Sequence, residues 1–304
     1  MIKLANTDLT IYPLCLGGNV FGYSADNENS EAVLSFYADN GGNFIDTADM
    51  YSQWAPGHIG GESETIIGNW MKKRGNRSQM IIATKVGKLD TKPGLSPSNI
   101  ISACEDSLKR LGSDYIDIYY SHQDDLDTPI EQSLGAYDSL IKAGKVRYIA
   151  ASNFTPERLQ ESLDISKELN LASYIASQDQ YNLMERSYES TLRDVLEKNN
   201  LSQIPFYGLA RGFLTGKYRP GASVESVRAT GVSNAYGNER GWAMLEKLDQ
   251  IAKERKTSVA SISLAWLRAQ RTVAAPIASA TKLEQIKEIM PIVELSKEEL
   301  ALLS

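Results

Sequence analysis

The sequence predicts an α/β fold, a single-domain (β/α)8 barrel of the TIM type with a long loop after its seventh strand. The chain has 304 residues, which is a usual length for one such barrel. Short runs of β-branched and aromatic residues alternate with longer amphipathic segments, and eight such pairs can be counted along the chain. A doubly wound open sheet would also alternate, but eight regular units favour closure. Nothing in residues 1–304 resembles a linker or a low-complexity tract, so we expect one domain.

The predicted strands are short apolar runs bounded by polar or turn-forming residues. They lie at 14–18, 44–48, 80–86, 116–121, 146–152, 174–178, 204–209 and 274–278. None is long enough to cross a membrane.

The predicted helices are the periodic segments that follow each strand. They lie at 30–40, 62–73, 98–111, 130–142, 156–170, 188–198, 241–256 and 283–289. The stretch 218–241 is irregular and rich in Gly, Ser, Arg and Asn. A loop of that length in a compact barrel is usually functional or mobile, and after strand seven it should overhang the C-terminal ends of the strands, where barrel active sites lie.

Composition excludes several classes of protein. Thirty-two basic and thirty-eight acidic residues give a net charge of −6, and without a basic run the chain is a poor nucleic-acid binder. The two cysteines, Cys15 and Cys104, have no CxxC spacing, so a disulfide framework and a thiolate metal site are not expected. The first eight residues show no signal-peptide pattern. We therefore expect a cytoplasmic protein that binds neither nucleic acid nor membrane; its oligomeric state cannot be read from the chain.

Four side chains with chemical potential lie at or just beyond the ends of predicted strands two, three and four. They are Asp46, Tyr51, Lys85 and His122. The C-terminal ends of neighbouring barrel strands converge, so the four should share one pocket. An ammonium beside a phenol lowers the phenol pKa, a carboxylate keeps the ammonium charged, and an imidazole can orient a substrate oxygen. The set suits proton delivery to a carbonyl that accepts a hydride.

Each of the four has an ordinary structural interpretation when taken alone. Asp46 could cap a loop, Tyr51 is one of fifteen tyrosines, Lys85 could be solvated, and His122 could be structural. Their register on consecutive strands makes coincidence the weaker interpretation. The other histidine, His58, lies in a Gly/Pro loop and is assigned no role.

An ordered series of motifs resembles the aldo-keto reductases over nearly the whole chain, in particular the long-loop branch that includes channel β-subunits. The matching stretches are FIDTADMY (44–51), ATK (83–85), HQDDLDTP (122–129), GKVR (144–147), SN (152–153), Gln178, QYN (180–182) and YGLARGFLTGK (207–217). The resemblance implies that Asp46, Tyr51, Lys85 and His122 are the catalytic tetrad. Tyr51 would be the general acid in reduction and the base in the reverse reaction.

The cofactor prediction also follows from the resemblance. Neither a Rossmann GxGxxG nor a P-loop is present, and this family lays a nicotinamide dinucleotide across the strand ends. Ser152, Asn153 and Gln178 match positions that hold the nicotinamide carboxamide, and Tyr207 matches the aromatic residue that stacks on its ring. The remaining positions assigned to the cofactor in this part of the chain are Gly18, Asn19, Gly208, Leu209, Arg211, Lys217 and Arg228. Lys217 and Arg228 would supply positive charge to an anionic dinucleotide, although Arg228 could equally be a solvated loop charge.

The segment after strand eight, 278–288, opens a helix whose backbone N–H groups can face an anion. In the family it reads the adenine and the 2′-phosphate. The residues here, Ser279, Gln285 and Ile289, depart from the Lys, Arg and Asn of many members, whereas Ser279, Thr281, Gln285 and Glu288 fit the long-loop relatives. NADP(H), with Lys282 and Arg228 as charge partners, is therefore predicted, and NAD(H) stays open.

Substrate contacts are assigned to Phe21, after strand one, and to Trp54, near Tyr51. No metal is expected, and Asp124, Asp125 and Asp127 are interpreted as a solvated, helix-capping turn.

Three functions compete: a reductase of small aldehydes or ketones, a cofactor-binding regulatory subunit, and a metal-dependent hydrolase. Two histidines supply few metal ligands, and the chain shows no extra N-terminal segment for a partner, so the reductase is preferred.

Overall fold

Eight parallel strands form the centre of the described part of the molecule, which comprises residues 1–224 and 229–304 of a computed structural model. The strands are β1 Cys15–Gly17, β2 Phe44–Asp46, β3 Ile81–Val86, β4 Ile116–Ser121, β5 Val146–Ser152, β6 Tyr174–Gln178, β7 Ser202–Gln203 and β8 Ile277–Ala278. They pair in the order β7-β6-β5-β4-β3-β2-β1-β8. The Gln203 amide donates to the Thr272 carbonyl at 2.8 Å, and the Ile277 amide donates to the Pro205 carbonyl at 2.9 Å. These bonds join the two ends of the sheet, so the predicted barrel is confirmed.

Helices surround the barrel. They are α1 Asn27–Asp39, α2 Glu62–Arg74, α3 Pro97–Leu111, α4 Ile130–Lys142, α5 Pro156–Glu168, α6 Arg193–Lys198, α7 Ala229–Tyr236, α8 Glu239–Arg255, α9 Val259–Arg268, α10 Leu283–Ile289 and α11 Lys297–Leu302. Side-chain caps satisfy amides at several N-termini: the Asp26 carboxylate accepts from the Asn29 amide at 2.8 Å at the start of α1. Among the described residues, no helix has both the length and the apolar character needed to cross a bilayer.

Two hydrophobic clusters hold the layers together. The larger one lies between the strands and the helices, and the smaller one fills the barrel interior. An N-terminal hairpin, Ile2–Lys3 paired with Thr10–Ile11, adds Leu4, Leu9 and Ile11 to the smaller cluster. The hairpin therefore covers the end of the barrel opposite the strand C-termini.

The structure corrects the sequence prediction in the last third of the chain. The seventh strand is Ser202–Gln203 rather than 204–209, because Pro205 lacks an amide and Tyr207 has a positive φ of 53°. Residues 218–241 were predicted to be an irregular loop, but α7 forms within them and α8 begins at Glu239. The prediction was wrong at these helical residues, and the long loop is not confirmed. Helix α9, whose residues 260–267 are all buried, was not predicted.

Candidate active site

A cavity of about 970 Å³ opens at the C-terminal ends of the strands. Residues at or just beyond the C-terminal ends of all eight strands line it. Those of the sequence-predicted site are Asn19, Asp46, Tyr51, Trp54, His122, Ser152, Asn153, Gln178, Tyr207, Gly208, Leu209, Arg211, Lys217, Ser279, Thr281, Gln285 and Glu288. Lys85 lies directly beneath, bonded to two of them, so one chamber gathers residues that are as far apart in sequence as Asn19 and Glu288.

Asp46, Lys85 and Tyr51 form a closed triangle at the base of the cavity. The Lys85 Nζ donates to Asp46 Oδ2 at 2.7 Å and to the Tyr51 hydroxyl at 2.8 Å. The Tyr51 hydroxyl lies 3.1 Å from Asp46 Oδ2. Lys85 and Asp46 are almost fully buried, with side chains 0% and 2% exposed. A buried ammonium is retained because the carboxylate compensates its charge.

Strand register and flanking bonds fix this triangle. Asp46 is the last residue of β2 and pairs with Ala83 on β3, which brings the next inward residue of β3, Lys85, alongside it. The Lys85 Nζ also donates to the Thr47 carbonyl at 2.8 Å, and the Gln178 amide donates to Asp46 Oδ1 at 2.9 Å. Tyr51 follows in a turn in which its amide donates to the Ala48 carbonyl at 3.2 Å.

His122 stands at the edge of the same group, one residue beyond β4. Its backbone is held twice: its amide donates to the Val86 carbonyl at 2.9 Å, and its carbonyl accepts from the Asn153 side chain at 2.9 Å. The ring lies edge-on to the Tyr51 ring, with centroids 6.1 Å apart. Its Nδ1 is buried and has no hydrogen-bond partner among the described residues. Burial, reinforced by Lys85 and Lys88, places the His122 pKa well below 6.5, so the ring is neutral at physiological pH.

The structure reverses the expected direction of the Tyr51 pKa shift. The sequence argument held that the Lys85 ammonium lowers it, but burial and the negative charge of Asp46 raise the pKa well above 10. Burial also lowers the Lys85 pKa, against the opposing effect of Asp46. Tyr51 is therefore firmly protonated, and proton transfer from it requires a strongly basic acceptor.

The candidate cofactor residues line the cavity wall above the triangle. The Ser152 hydroxyl donates to the Gln178 carbonyl at 2.8 Å, and Asn153, with a φ of 59°, turns its amide toward Ser152 at 2.9 Å. The Tyr207 side chain is 36% exposed, and the Arg211 guanidinium lies 4.7 Å from its ring centroid. The exposed ring could stack on a nicotinamide, and the cation that lies over it could meet a phosphate.

Positive and small residues continue along the wall toward β8. Arg211, Lys217 and Lys282 line this part, and the Thr281 amide donates to the Gln285 side chain at 2.8 Å. A Cβ on Gly17 would come within 2.5 Å of Ser279 Oγ and 2.9 Å of Ile277 Cγ2, so a larger residue there would require these side chains to shift. These cations and the exposed aromatic ring could hold an anionic dinucleotide.

Three of the assigned residues are placed differently. Phe21 is fully buried in the core and does not line the cavity, so it is left out of the substrate site. Gly18 does not line it either: its amide donates to the Asp46 carbonyl at 2.7 Å, which supports Asp46 from behind. Arg228 lies outside the described residues.

Sequence reasoning missed several lining residues, including Ser24, Met50, Lys88 and Phe206. Lys88 had a usable signal, since it stands three residues after Lys85 in the segment that leaves β3. Trp54, which was predicted, is 44% exposed, and its ring centroid is 6.1 Å from that of Tyr51.

Within the described residues no cluster of metal-ligating side chains is found, and Asp124 instead pairs with Arg158 at 2.8 Å.

The comparisons with known proteins identify the family to which this chain belongs. The model of the aldo/keto reductase family matches residues 13–304. The chain therefore belongs to that family, whose members are oxidoreductases that use nicotinamide cofactors, and the resemblance seen in the motifs is confirmed.

Individual relatives cover almost the full length. An uncharacterized oxidoreductase of Bacillus subtilis, YrpG, is 31% identical over 96% of this chain and 90% of its own. L-glyceraldehyde 3-phosphate reductase of Escherichia coli is 31% identical over 88% of this chain and 80% of its own. A probable voltage-gated potassium channel subunit beta of Oryza sativa is 31% identical over 95% of this chain and 89% of its own.

Proposed function

We propose that this protein reduces a small aldehyde or ketone to an alcohol, with NADPH as the hydride donor and Tyr51 as the proton donor. The observation that carries the proposal is the bond of 2.8 Å between the Lys85 ammonium and the Tyr51 hydroxyl. That hydroxyl faces a cavity large enough for a dinucleotide and a small substrate.

In the proposed proton transfer, the groups of the triangle act one after the other. The raised pKa of Tyr51 keeps the phenol protonated before reaction. When bound, the reduced nicotinamide supplies a hydride to the carbonyl carbon, and the carbonyl oxygen becomes basic enough to take the phenol proton. The Tyr51 O–H bond breaks as the substrate O–H bond forms, and the Lys85 ammonium stabilises the phenolate that remains.

His122 positions the carbonyl in this scheme. Its ring is neutral and carries one N–H, which can donate to the substrate oxygen without competing with Tyr51 for the role of acid. The carbonyl oxygen would then accept from the ring and from the phenol at once, which aims its carbon at the cofactor.

The residues that would hold the cofactor fall into two groups. Ser152, Asn153, Gln178 and Tyr207 would hold the nicotinamide, and the cations Arg211, Lys217 and Lys282 would meet the phosphates. Three cations on one wall favour NADPH over NADH, since the former carries the additional phosphate. The rest of this group would comprise Asn19, Gly208, Leu209, Ser279, Thr281, Gln285 and Glu288.

A cofactor-binding regulatory subunit with little turnover is the second candidate. The similarity to a probable channel subunit over 95% of the chain favours it, because that relative has the same family fold. Under the reductase proposal the protein acts in the cytoplasm on a small carbonyl compound.

One assay separates the two candidates. Purified protein is mixed with NADPH and methylglyoxal or 4-nitrobenzaldehyde, and NADPH loss and alcohol formation are both quantified. The reductase proposal predicts one alcohol per NADPH, and at least about tenfold weaker binding of NADH, which corresponds to about 1.4 kcal/mol. Tight NADPH binding without alcohol formation from any carbonyl would refute it and favour the regulatory subunit.

A further inference from the structure

We propose that Lys88 makes the substrate end of the cavity selective for carbonyl compounds that carry an anionic group, a carboxylate or a phosphate. The proposal rests on the proposed function, because it names the substrate class of the same site. It assigns a role to a residue that stands outside the tetrad and outside the cofactor wall.

Lys88 lies on the wall of the chamber, in the segment that leaves β3. It lines the cavity together with Tyr51, Trp54 and His122. It begins a short hairpin in which Lys88–Leu89 pairs with Lys92–Pro93. The Gln53 side chain donates to the Lys88 carbonyl at 3.4 Å, which links the hairpin to the turn that carries Trp54. The backbone of Lys88 is thus linked to the turn that presents the aromatic wall.

The charge of Lys88 has no partner in the described part of the chain. No carboxylate lies within 4.0 Å of its Nζ, whereas its hairpin neighbour Lys92 is paired with Asp106. Asp90, two residues further on, contacts the Gln53 amide instead, at 3.4 Å. Partial burial and repulsion from Lys85 lower the Lys88 pKa, so an entering anion would relieve an unfavourable environment.

The remaining charges of the cavity leave this role to Lys88. Two described carboxylates line it: Asp46, already paired with Lys85, and Glu288, on the segment after β8. The other cations, Arg211, Lys217 and Lys282, belong to the segments after β7 and β8 and would serve the cofactor. Beside Tyr51 and the neutral ring of His122, Lys88 is the described residue that brings an uncompensated positive charge to the substrate.

The test compares substrates that differ in charge but little in size. The value of kcat/KM is measured with NADPH for 4-carboxybenzaldehyde and its methyl ester, and for glyceraldehyde 3-phosphate and glyceraldehyde. We expect each anion to exceed its neutral counterpart at least tenfold. Lys88→Gln should reduce both ratios about tenfold, and Lys88→Arg should keep them within threefold. Lys72→Gln, at an exposed position on α2, is the matched control and should leave the ratios unchanged. If Lys88→Gln reduces the ratio for only one of the two substrate pairs, the anion of that pair, carboxylate or phosphate, is the one that the site prefers.

Binding distinguishes failure of this proposal from failure of the reductase function. Benzoate and inorganic phosphate are titrated calorimetrically into the NADPH-saturated protein, and at least one of them should bind at least tenfold more weakly to Lys88→Gln. If no carbonyl turns over but this loss is seen, the anion site stands and the reductase function falls. If the wild-type ratios are near one, or if Lys88→Gln lowers turnover of charged and neutral substrates equally, Lys88 does not select anions.

Discussion

Asp49 offers a test of the electrostatics around the candidate active site. Its side chain is 1% exposed, and neither carboxylate oxygen accepts a well-formed hydrogen bond from the described residues. Burial, reinforced by the nearby Glu64 carboxylate, raises the Asp49 pKa from 3.8 to about 7. We predict that Asp49→Asn removes a pH-dependent loss of stability that the natural protein suffers between pH 5.5 and pH 8.

The sign and size follow from proton linkage. The folded state holds the proton more tightly than the unfolded state, so this group's stabilising contribution is complete below pH 3.8 and is lost as the pH rises through 7. Each pKa unit corresponds to about 1.4 kcal/mol, which gives a loss of about 2 kcal/mol between pH 5.5 and pH 8. The asparagine variant has no such proton and lacks this component.

Urea unfolding at the two pH values measures the effect. The free energy of unfolding of Asp49→Asn relative to the natural protein should rise by about 2 kcal/mol from pH 5.5 to pH 8. Other titrating groups, such as Asp179 with a pKa of about 6, are shared by both proteins and cancel in the difference. Asp127→Asn, at an exposed position, is the control and should show no change. Parallel curves for Asp49→Asn and the natural protein would refute the reasoning.

Two further predictions concern the residues around the site. Arg110→Met should lower the free energy of unfolding by about 3–5 kcal/mol in urea titrations, because it leaves the buried Glu64 without its ion pair at 2.6 Å; a loss below 1 kcal/mol would show that Glu64 is neutral or solvated. Arg211→Ala should weaken NADPH binding about tenfold in fluorescence titrations, as expected for one lost charge-assisted hydrogen bond, while leaving the melting temperature unchanged; unaltered binding would remove Arg211 from the cofactor wall.

The sequence was sufficient to predict the placement of the candidate tetrad because parallel strands in a barrel end on one face. Asp46 ends β2, Lys85 lies near the end of β3 and His122 follows β4, so alternation and strand order alone brought them together. The contact of Tyr51 with Lys85 is consistent with that inference. The catalytic roles themselves stay predictions until the variants are measured.

Other features depended on burial that the sequence does not encode locally. The direction of the Tyr51 pKa shift was predicted from one neighbouring charge, but the burial of the hydroxyl decides it. Phe21 follows β1 as expected, yet its ring points into the core, because a residue in a turn has no periodic constraint on direction. Helix α9 was also missed: it is a short segment whose residues 260–267 are all buried, and it was not assigned to an element.

The most direct test of the central claim is a single-turnover comparison of the natural protein, Tyr51→Phe and Tyr148→Phe. Tyr148 bonds to Asp8 at 2.8 Å near the N-terminal hairpin and serves as the matched tyrosine control. With enzyme-bound NADPH and excess aldehyde, we expect Tyr51→Phe to bind NADPH normally but to form alcohol at least about 100-fold more slowly, as for loss of a general acid. Tyr148→Phe should react at the natural rate. Equal rates of alcohol formation in all three proteins would contradict the assignment of Tyr51 as the proton donor.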